Sequence, residues 1–384
     1  MIGIQELQTL FSLYKEQNIN GRYIHNKNIL PIINLLKRKV EIDEIGRSVL
    51  NEPIFKIIIG NGLNKILIWS QMHGNESTTT KALFDLINIL LNGKDFGINA
   101  ILSQCTLLII PILNPDGAKA YTRFNANNVD LNRDAQNLSQ PESLILKKAF
   151  EEFRPNYCFN LHGQRTIFSA GNKNKPATVS FLAPAQDNAC SLTDTRKIAM
   201  ELIAVMNKAL QQVIPNQVGV YDDSFNINCV GDTFQSMNIP TILFEAGHFK
   251  DDYEREKTRE YIYQSLLTAL DYISTSEING DNYKDYFLIP ENQKLFFDVI
   301  LRNAYYKGKI VDIAIQFDEV LKKDKILFKP VLKQVGDLKS FFGHKEIKLN
   351  KKEIDILNND PEKEIEIVIV DKYSEIKPLI IKEF

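Results

Sequence analysis

The sequence predicts an α/β fold: a mixed, mainly parallel sheet with helices on both faces, followed by a small β-rich C-terminal appendage. Three observations predict it. Between residues 55 and 273, apolar runs of strand length alternate with stretches of helical spacing, the rhythm of strands joined through helices. The run Cys105–Leu113 is apolar almost throughout, as expected of a strand buried on both faces. From Asn279 on, Lys and Glu increase and short alternating runs take over.

Taken in order, residues 1–50 read as helical, with apolar positions at Leu7, Leu10, Phe11 and Tyr14 and again through Ile29–Leu36. Phe55–Gly60 and Lys65–Ser70, separated by Asn61-Gly62, suggest a hairpin. Ser77–Leu91 carries Ala82, Leu83, Leu86, Ile87 and Leu90 at helical spacing and stops at Asn92-Gly93. Tyr157–Leu161 and Thr241–Phe244 read as buried strands, Thr193–Val213 as a long helix and Glu254–Ile273 as a closing helix. Later strands are expected at Ile310–Phe317, Ile326–Pro330 and Glu364–Val370. The organisation that follows is a helical N-terminal segment (1–50), a central α/β domain (51–275) and a small β-rich C-terminal domain (279–384).

At 384 residues the chain can bury a full-sized core. A formal net charge of -2 without a long basic stretch argues against nucleic acid as a partner. No run of 18 apolar residues exists to span a membrane, and the N-terminus lacks a basic segment followed by an unbroken apolar stretch. Of four scattered cysteines, Cys105 and Cys158 sit inside apolar runs and read as buried thiols rather than half-disulfides. A cytoplasmic globular protein is expected. Nothing in the sequence speaks to its oligomeric state.

Polar residues of interest follow the apolar runs. His73 comes after KILIWSQM, Asn114 after LLIIPIL, His162 after CFNL and Glu245 after TILF. Ligands of open α/β sheets sit beyond the carboxyl ends of strands, so four strands would deliver polar side chains to one edge. In HGNE (73–76), a histidine and a glutamate three apart can face the same side of one turn, and zinc takes nitrogen and carboxylate donors about 2 Å away. Glu76 could instead simply charge the first turn of the following helix. Among five histidines, His162 (in NLHG) is the best third ligand. His248, in FEAGH, is the competitor, but the charged stretch KDDYEREK after it suggests an exposed turn. NPDG (114–117) is a turn signal, and Arg123 and Arg133 behind it are suited to bidentate capture of a carboxylate, although two loop arginines could also be plain solvated surface.

In order, HGNE, NPDG, Arg123-x-Asn125, DLNR (130–133), LHG (161–163) and FEAG (244–247) resemble the zinc metallocarboxypeptidase family typified by pancreatic carboxypeptidase A, over roughly residues 50–273. The resemblance implies one zinc per chain on His73, Glu76 and His162, and Glu245 as general base and acid. It implies that Arg123 polarises the scissile carbonyl and that Asn132 and Arg133 grip the substrate's terminal carboxylate. Family members also carry a tyrosine on a mobile loop before the catalytic glutamate, and Tyr221, 24 residues ahead of Glu245, takes that place, in surroundings that depart from the pancreatic pattern. Asp222, Asp223, Asn226 and Asn228 behind it could line a specificity pocket, where acidic lining would favour basic side chains.

The expected activity is hydrolysis of a C-terminal peptide bond, on a peptide or acylated amino acid with a free carboxylate. Deacylases resembling succinylglutamate desuccinylase and aspartoacylase share HGNE, a DLNR-like segment and a late glutamate, and form the alternative; NPDG and the arginine–asparagine spacing favour the carboxypeptidase side. A catalytically silent binder of peptide C-termini is the further possibility, opposed by the presence of every ligand and of Glu245. The 50-residue N-terminal segment is too short for the usual inhibitory prodomain, so a processing role inside the cell is expected, with cell-wall peptide recycling as one example.

Overall fold

The computed structural model describes residues 2–93, 97–358, 366–370 and 376–378. The chain forms two compact units: residues 1–164 with 177–292, and residues 165–176 with 293–384.

The first unit opens with α1 (Ile4–Tyr14) and α2 (Asn26–Leu36), then β1 (Glu41–Arg47), β2 (Pro53–Gly60), β3 (Asn64–Ser70), α3 (Thr78–Asn92) and α4 (Ile98–Gln104). It continues through β4 (Cys105–Ile110), α5 (Pro115–Ala120), α6 (Pro141–Phe153) and β5 (Tyr157–Gly163). The short strand β6 (Phe168–Ala170) belongs to the second unit. The first unit then resumes with β7 (Val179–Leu182), α7 (Asp194–Leu210), β8 (Val218–Val220), α8 (Val230–Ser236), β9 (Thr241–Ala246) and α9 (Glu256–Thr275).

Eight of these strands make one mixed sheet in the order β1-β2-β4-β3-β5-β9-β7-β8. The four central strands, β4, β3, β5 and β9, run parallel. Side chains alternate across the pleat: Ile66 and Ile68 join one core with α3, α7 and α9, while Leu67 and Trp69 join another with Leu146, Phe150 and Phe234 of α6 and α8. This three-layer arrangement is the α/β architecture the sequence predicts.

Two readings need correction. Residues 1–50 are not wholly helical, because 41–47 form edge strand β1, antiparallel to β2. The charged β1 (EIDEIGR) alternates too weakly to announce itself, and as an exposed edge it has no apolar row to show. Nor do β2 and β3 form a hairpin. β4 lies between them, antiparallel to β2 and parallel to β3. Asn61-Gly62 instead brings the backbone against the start of β4, where a Cβ on Gly62 would lie 1.8 Å from the carbonyl carbon of Gln104.

Helix α1 adds a layer over α3 and α9, which helps bury those two nearly all round. Phe11 stacks on Tyr263 with ring centroids 5.4 Å apart. Beneath them the buried Arg259 Nε donates to Asp85 Oδ2 at 2.6 Å, and its Nη atoms donate to the carbonyls of Ile19 and Glu16, both at 2.8 Å. A charge so deeply buried is tolerable only with such full pairing. Among the described residues, no helix is long and apolar enough to cross a membrane.

The second unit is built from β-strands: β10 (Asn292–Lys294), β11 (Phe296–Tyr306), β12 (Lys309–Lys322), β13 (Lys325–Gly336), β14 (Phe342–Lys348), β15 (Glu353–Asn358), β16 (Glu366–Val370) and β17 (Ile376–Pro378). Its main sheet runs β13-β12-β11-β15-β16-β17, with β14 also paired to β11. Val299, Leu301, Ile313, Ile315, Leu349 and Ile354 fill its core. Ile310–Phe317 and Ile326–Pro330 fall inside the longer strands β12 and β13, whereas Glu364 and Ile365 of the predicted Glu364–Val370 lie outside the described residues.

Candidate metal centre and catalytic cleft

Because β4, β3, β5 and β9 are parallel neighbours, the segments that follow them share one sheet edge. His162 on β5 pairs in register with Glu245 on β9, so the two side chains point to the same face. The HGNE turn leaves β3 one strand away, closed by Glu76 N–H donating to the His73 carbonyl at 3.1 Å. NPDG is the start of helix α5 rather than a bare reversal: Asn114 Oδ1 accepts from Gly117 N at 2.8 Å, with Pro115 in the first turn. Asn114 Nδ2 also donates to the Met72 carbonyl at 3.2 Å, tying this helix to the HGNE turn. The two motifs meet backbone to backbone, since a Cβ on Gly74 would stand 1.9 Å from the Gly117 carbonyl carbon.

Three donors converge there. His73 Nδ1 lies 2.9 Å from Glu76 Oε1, His162 Nδ1 3.0 Å from Glu76 Oε2, and the two Nδ1 atoms are 3.1 Å apart. One ligand atom from each residue falls within a 4.8 Å group. A tetrahedron with ligand bonds of about 2 Å has edges of roughly 3.3 Å, so these separations and this donor chemistry fit a zinc ion. Both histidines are 2% exposed, and Gly163 N–H holds Glu76 Oε2 at 2.9 Å.

His73 Nε2 lies 3.0 Å from Asp130 Oδ1. With the Nε2 proton directed to that carboxylate, Nδ1 presents its lone pair to the centre, the usual way an outer carboxylate orients a metal-binding imidazole. Asp130 Oδ2 accepts from Arg123 Nε at 3.0 Å, and Asp130 Oδ1 accepts from Asn132 N at 2.9 Å. One aspartate thus aligns His73, Arg123 and the 3-10 turn Leu131–Arg133. In the sequence, Asp130 stands only as the first residue of DLNR. DLNR contained the signal, but the contact with His73 spans 57 residues and periodicity does not reveal it.

Arg123 keeps about 40% of its side chain exposed and brings Nη1 within 3.6 Å of Glu76 Oε1. Arg133 is exposed, with Nη1 donating to the Asn132 carbonyl at 2.6 Å and to Cys229 Sγ at 3.1 Å, while Asn132 Oδ1 accepts from Val230 N at 3.0 Å. Asn132 and Arg133 therefore sit against the start of α8.

Tyr221 is not on an unanchored loop. It follows β8, its N–H donates to the Phe181 carbonyl at 3.0 Å and its hydroxyl donates to Gln164 Oε1 at 2.6 Å. Burial, helped by the charges of Glu245 and Glu76, pushes the phenol well above its usual range and keeps it a donor. Gln164, at the end of β5, escaped sequence reading because a glutamine after LHG carries no motif of its own. Of the pocket candidates, Asp223 is ion-paired with Arg196, and Asp222 accepts from Ser224 N at 2.9 Å. His248 also departs from expectation. It is only 1% exposed and packs its ring 4.7 Å from Tyr253, so it lies in no exposed turn, and the three-donor group excludes it.

Electrostatics separate the two histidines. Burial lowers both, but His73 is raised because the Glu76 charge and the Asp130 hydrogen bond outweigh it, whereas His162 stays lowered. Burial also works to raise Glu76, yet the charge and hydrogen bonds of the two imidazoles hold it below the carboxylate range. Glu245 goes the other way, raised well above that range by burial and by the Glu76 charge. Its Oε2 is buried without a hydrogen-bond partner among the described residues.

Residues 33–213 match the family described as Zinc carboxypeptidase. Carboxypeptidase SOL1 of Arabidopsis thaliana is 34% identical over 136 residues, covering 32% of this chain and 26% of that protein. Carboxypeptidase 2 of Trichophyton rubrum is 29% identical over 114 residues, covering 29% of this chain and 20% of that protein. The chain thus spans about a fifth to a quarter of the length of these curated relatives. The solved structure of carboxypeptidase A from Helicoverpa armigera matches with a TM-score of 0.53 at 14% identity, covering 71% of this chain and 80% of that one, a likeness of fold. Tyr221 and Glu245 lie beyond the matched family span, so their places rest on geometry.

Proposed function

We propose that the first unit is a zinc metallocarboxypeptidase that hydrolyses the C-terminal peptide bond of its substrate. The observation that carries this reading is the convergence of two imidazole Nδ1 atoms and a carboxylate on one edge, with Glu245 in register beside His162. His73, Glu76 and His162 would hold one zinc, which would supply Lewis acidity by acidifying water and polarising a carbonyl.

The remaining chemistry belongs to the chain. Glu245, with an unpartnered buried oxygen, takes the proton of the attacking water and returns it to the departing amine. Arg123, braced by Asp130, directs its exposed side toward the cleft and stabilises charge on the scissile carbonyl oxygen. Asn132 and Arg133 anchor the terminal carboxylate, which makes cleavage exopeptidic. Tyr221 supplies a further donor from the β8 side. Cys105 and Cys158 are buried free thiols, which fits a processing role in a reducing compartment.

The test is a pool of peptides with free C-termini beside their amidated twins, incubated with zinc-loaded protein and read by mass spectrometry. Single residues released from the free-acid pool alone are expected. Release from both pools would remove Asn132 and Arg133 from their role. Silence in both, with hydrolysis of N-acyl amino acids, would replace the reading with deacylation.

A further inference from the structure

Gln71 stands two residues before His73, fully buried, with φ +45°. A non-glycine residue in the left-handed region costs free energy and persists only where its surroundings fix it. What fixes Gln71 is its side chain. Nε2 donates to the Gly74 carbonyl at 2.7 Å and to the Ile24 carbonyl at 3.0 Å, and Oε1 accepts from Thr80 Oγ1 at 2.7 Å. The Gln71 carbonyl in turn accepts from Asn114 N at 3.0 Å. One residue therefore joins the HGNE turn, the first turn of α3, the NPDG helix start and the N-terminal segment. A second tie runs alongside: Ser77 Oγ donates to the Arg22 carbonyl.

We propose that Gln71 is a positioning residue for the metal centre, hanging the His73–Glu76 turn on the N-terminal segment at Ile24. This rests on the reading that His73, Glu76 and His162 bind zinc. The amide suits the place for a physical reason. It offers two protons to two carbonyls and one acceptor to the Thr80 hydroxyl, whose Oγ1 also lies 3.0 Å from the Pro111 carbonyl. Asp130 orients His73 from the cleft side, and Gln71 fixes the turn from the core side. The N-terminal segment thus becomes part of the site's frame and not a mere cover over α3 and α9.

The test compares wild type with Gln71→Gly and Gln71→Asn, both of which accept positive φ. Gly removes every side-chain bond; Asn keeps an amide too short to span all three partners. Zinc affinity is measured by chelator competition, and the cobalt-substituted protein is read by its visible d–d bands, with thermal unfolding of metal-free protein in parallel. Gln71→Gly is expected to weaken zinc binding about 10- to 100-fold, as loss of outer support around a metal typically does, and to shift the cobalt bands. Gln71→Asn should lie between it and wild type. A purely structural role would lower unfolding temperature while leaving affinity and cobalt spectrum unchanged, and that result in either variant overturns the proposal. If Gln71→Gly fails to fold, Gln71→Asn decides alone. Failure of the wild type itself to bind zinc would instead sink the metal assignment.

Discussion

The carboxyl edge of the central strands and the β-rich second unit treat their charged groups in opposite ways. In the second unit, Arg302 is closed into a local set: Nη1 pairs with Asp312 at 2.9 Å, Nη2 with Glu346 at 2.6 Å, and the carbonyls of Leu338 and Phe341 accept from it as well. Its job ends in stability. At the sheet edge, His162 Nε2 and Glu245 Oε2 are buried without hydrogen-bond partners among the described residues, and two imidazoles crowd one carboxylate. A folded protein keeps such arrangements where something else completes them. The difference teaches where to look for function: where several donors and a carboxylate crowd one edge, since ion pairs that satisfy themselves are ordinary structure.

The largest effect that could break this contrast is removal of a donor. His162→Ala should abolish stoichiometric zinc binding and with it hydrolysis; full zinc content by metal analysis would show that the crowded donors are only a buried network. Next comes Asp130→Asn, which loses the carboxylate that orients His73 and anchors Arg123. Zinc affinity should fall about 10- to 100-fold, measured by chelator competition, with unchanged affinity contradicting the orienting role. In the second unit, Arg302→Ala should destabilise by roughly 1–3 kcal/mol through unpaired Asp312 and Glu346, measured by urea unfolding. Zinc content should stay at one per chain. A change in zinc content there would blur the distinction between the two regions.

The smallest effect lies under the N-terminal layer. Burial acts to raise Glu256, but the charge and hydrogen bond of Lys81, with help from Lys15 and Arg259, bring its carboxyl down to about 2. Its folded value is therefore depressed below the ordinary carboxylate value of 4.5, so the stability it contributes is present above that value and lost as pH falls towards 2. Glu256→Gln should flatten this part of the acid limb in urea midpoints recorded across pH. An unaltered slope would mean that other carboxylates carry it.

Much of this was legible in the sequence where a single local signal sufficed. The parallel strands read as apolar runs because they are buried on both faces, and His73, Glu76, His162 and Glu245 stood out because each follows such a run. The edge strand β1 was hidden because one charged face and pairing on one side leave little pattern. The false hairpin at Asn61-Gly62 arose because turn chemistry reports the bend and not the partner, and β4 arrives from 45 residues later to separate β2 from β3. His248 was misread because charge in the following residues says nothing about the burial of the ring itself. Asp130 stood within DLNR, but its contact with His73, like those of Gln164 with Tyr221 and of Gln71 with Ile24, forms only when distant segments meet.

The central claim is that Glu245 works as base and acid beside a zinc held by His73, Glu76 and His162. Its most direct test is Glu245→Gln in the zinc-loaded protein, with metal content and single-residue release from free-acid peptides measured on the same sample. The account predicts one zinc per chain with turnover reduced by about 100- to 10,000-fold. Wild-type turnover at full zinc occupancy would contradict it.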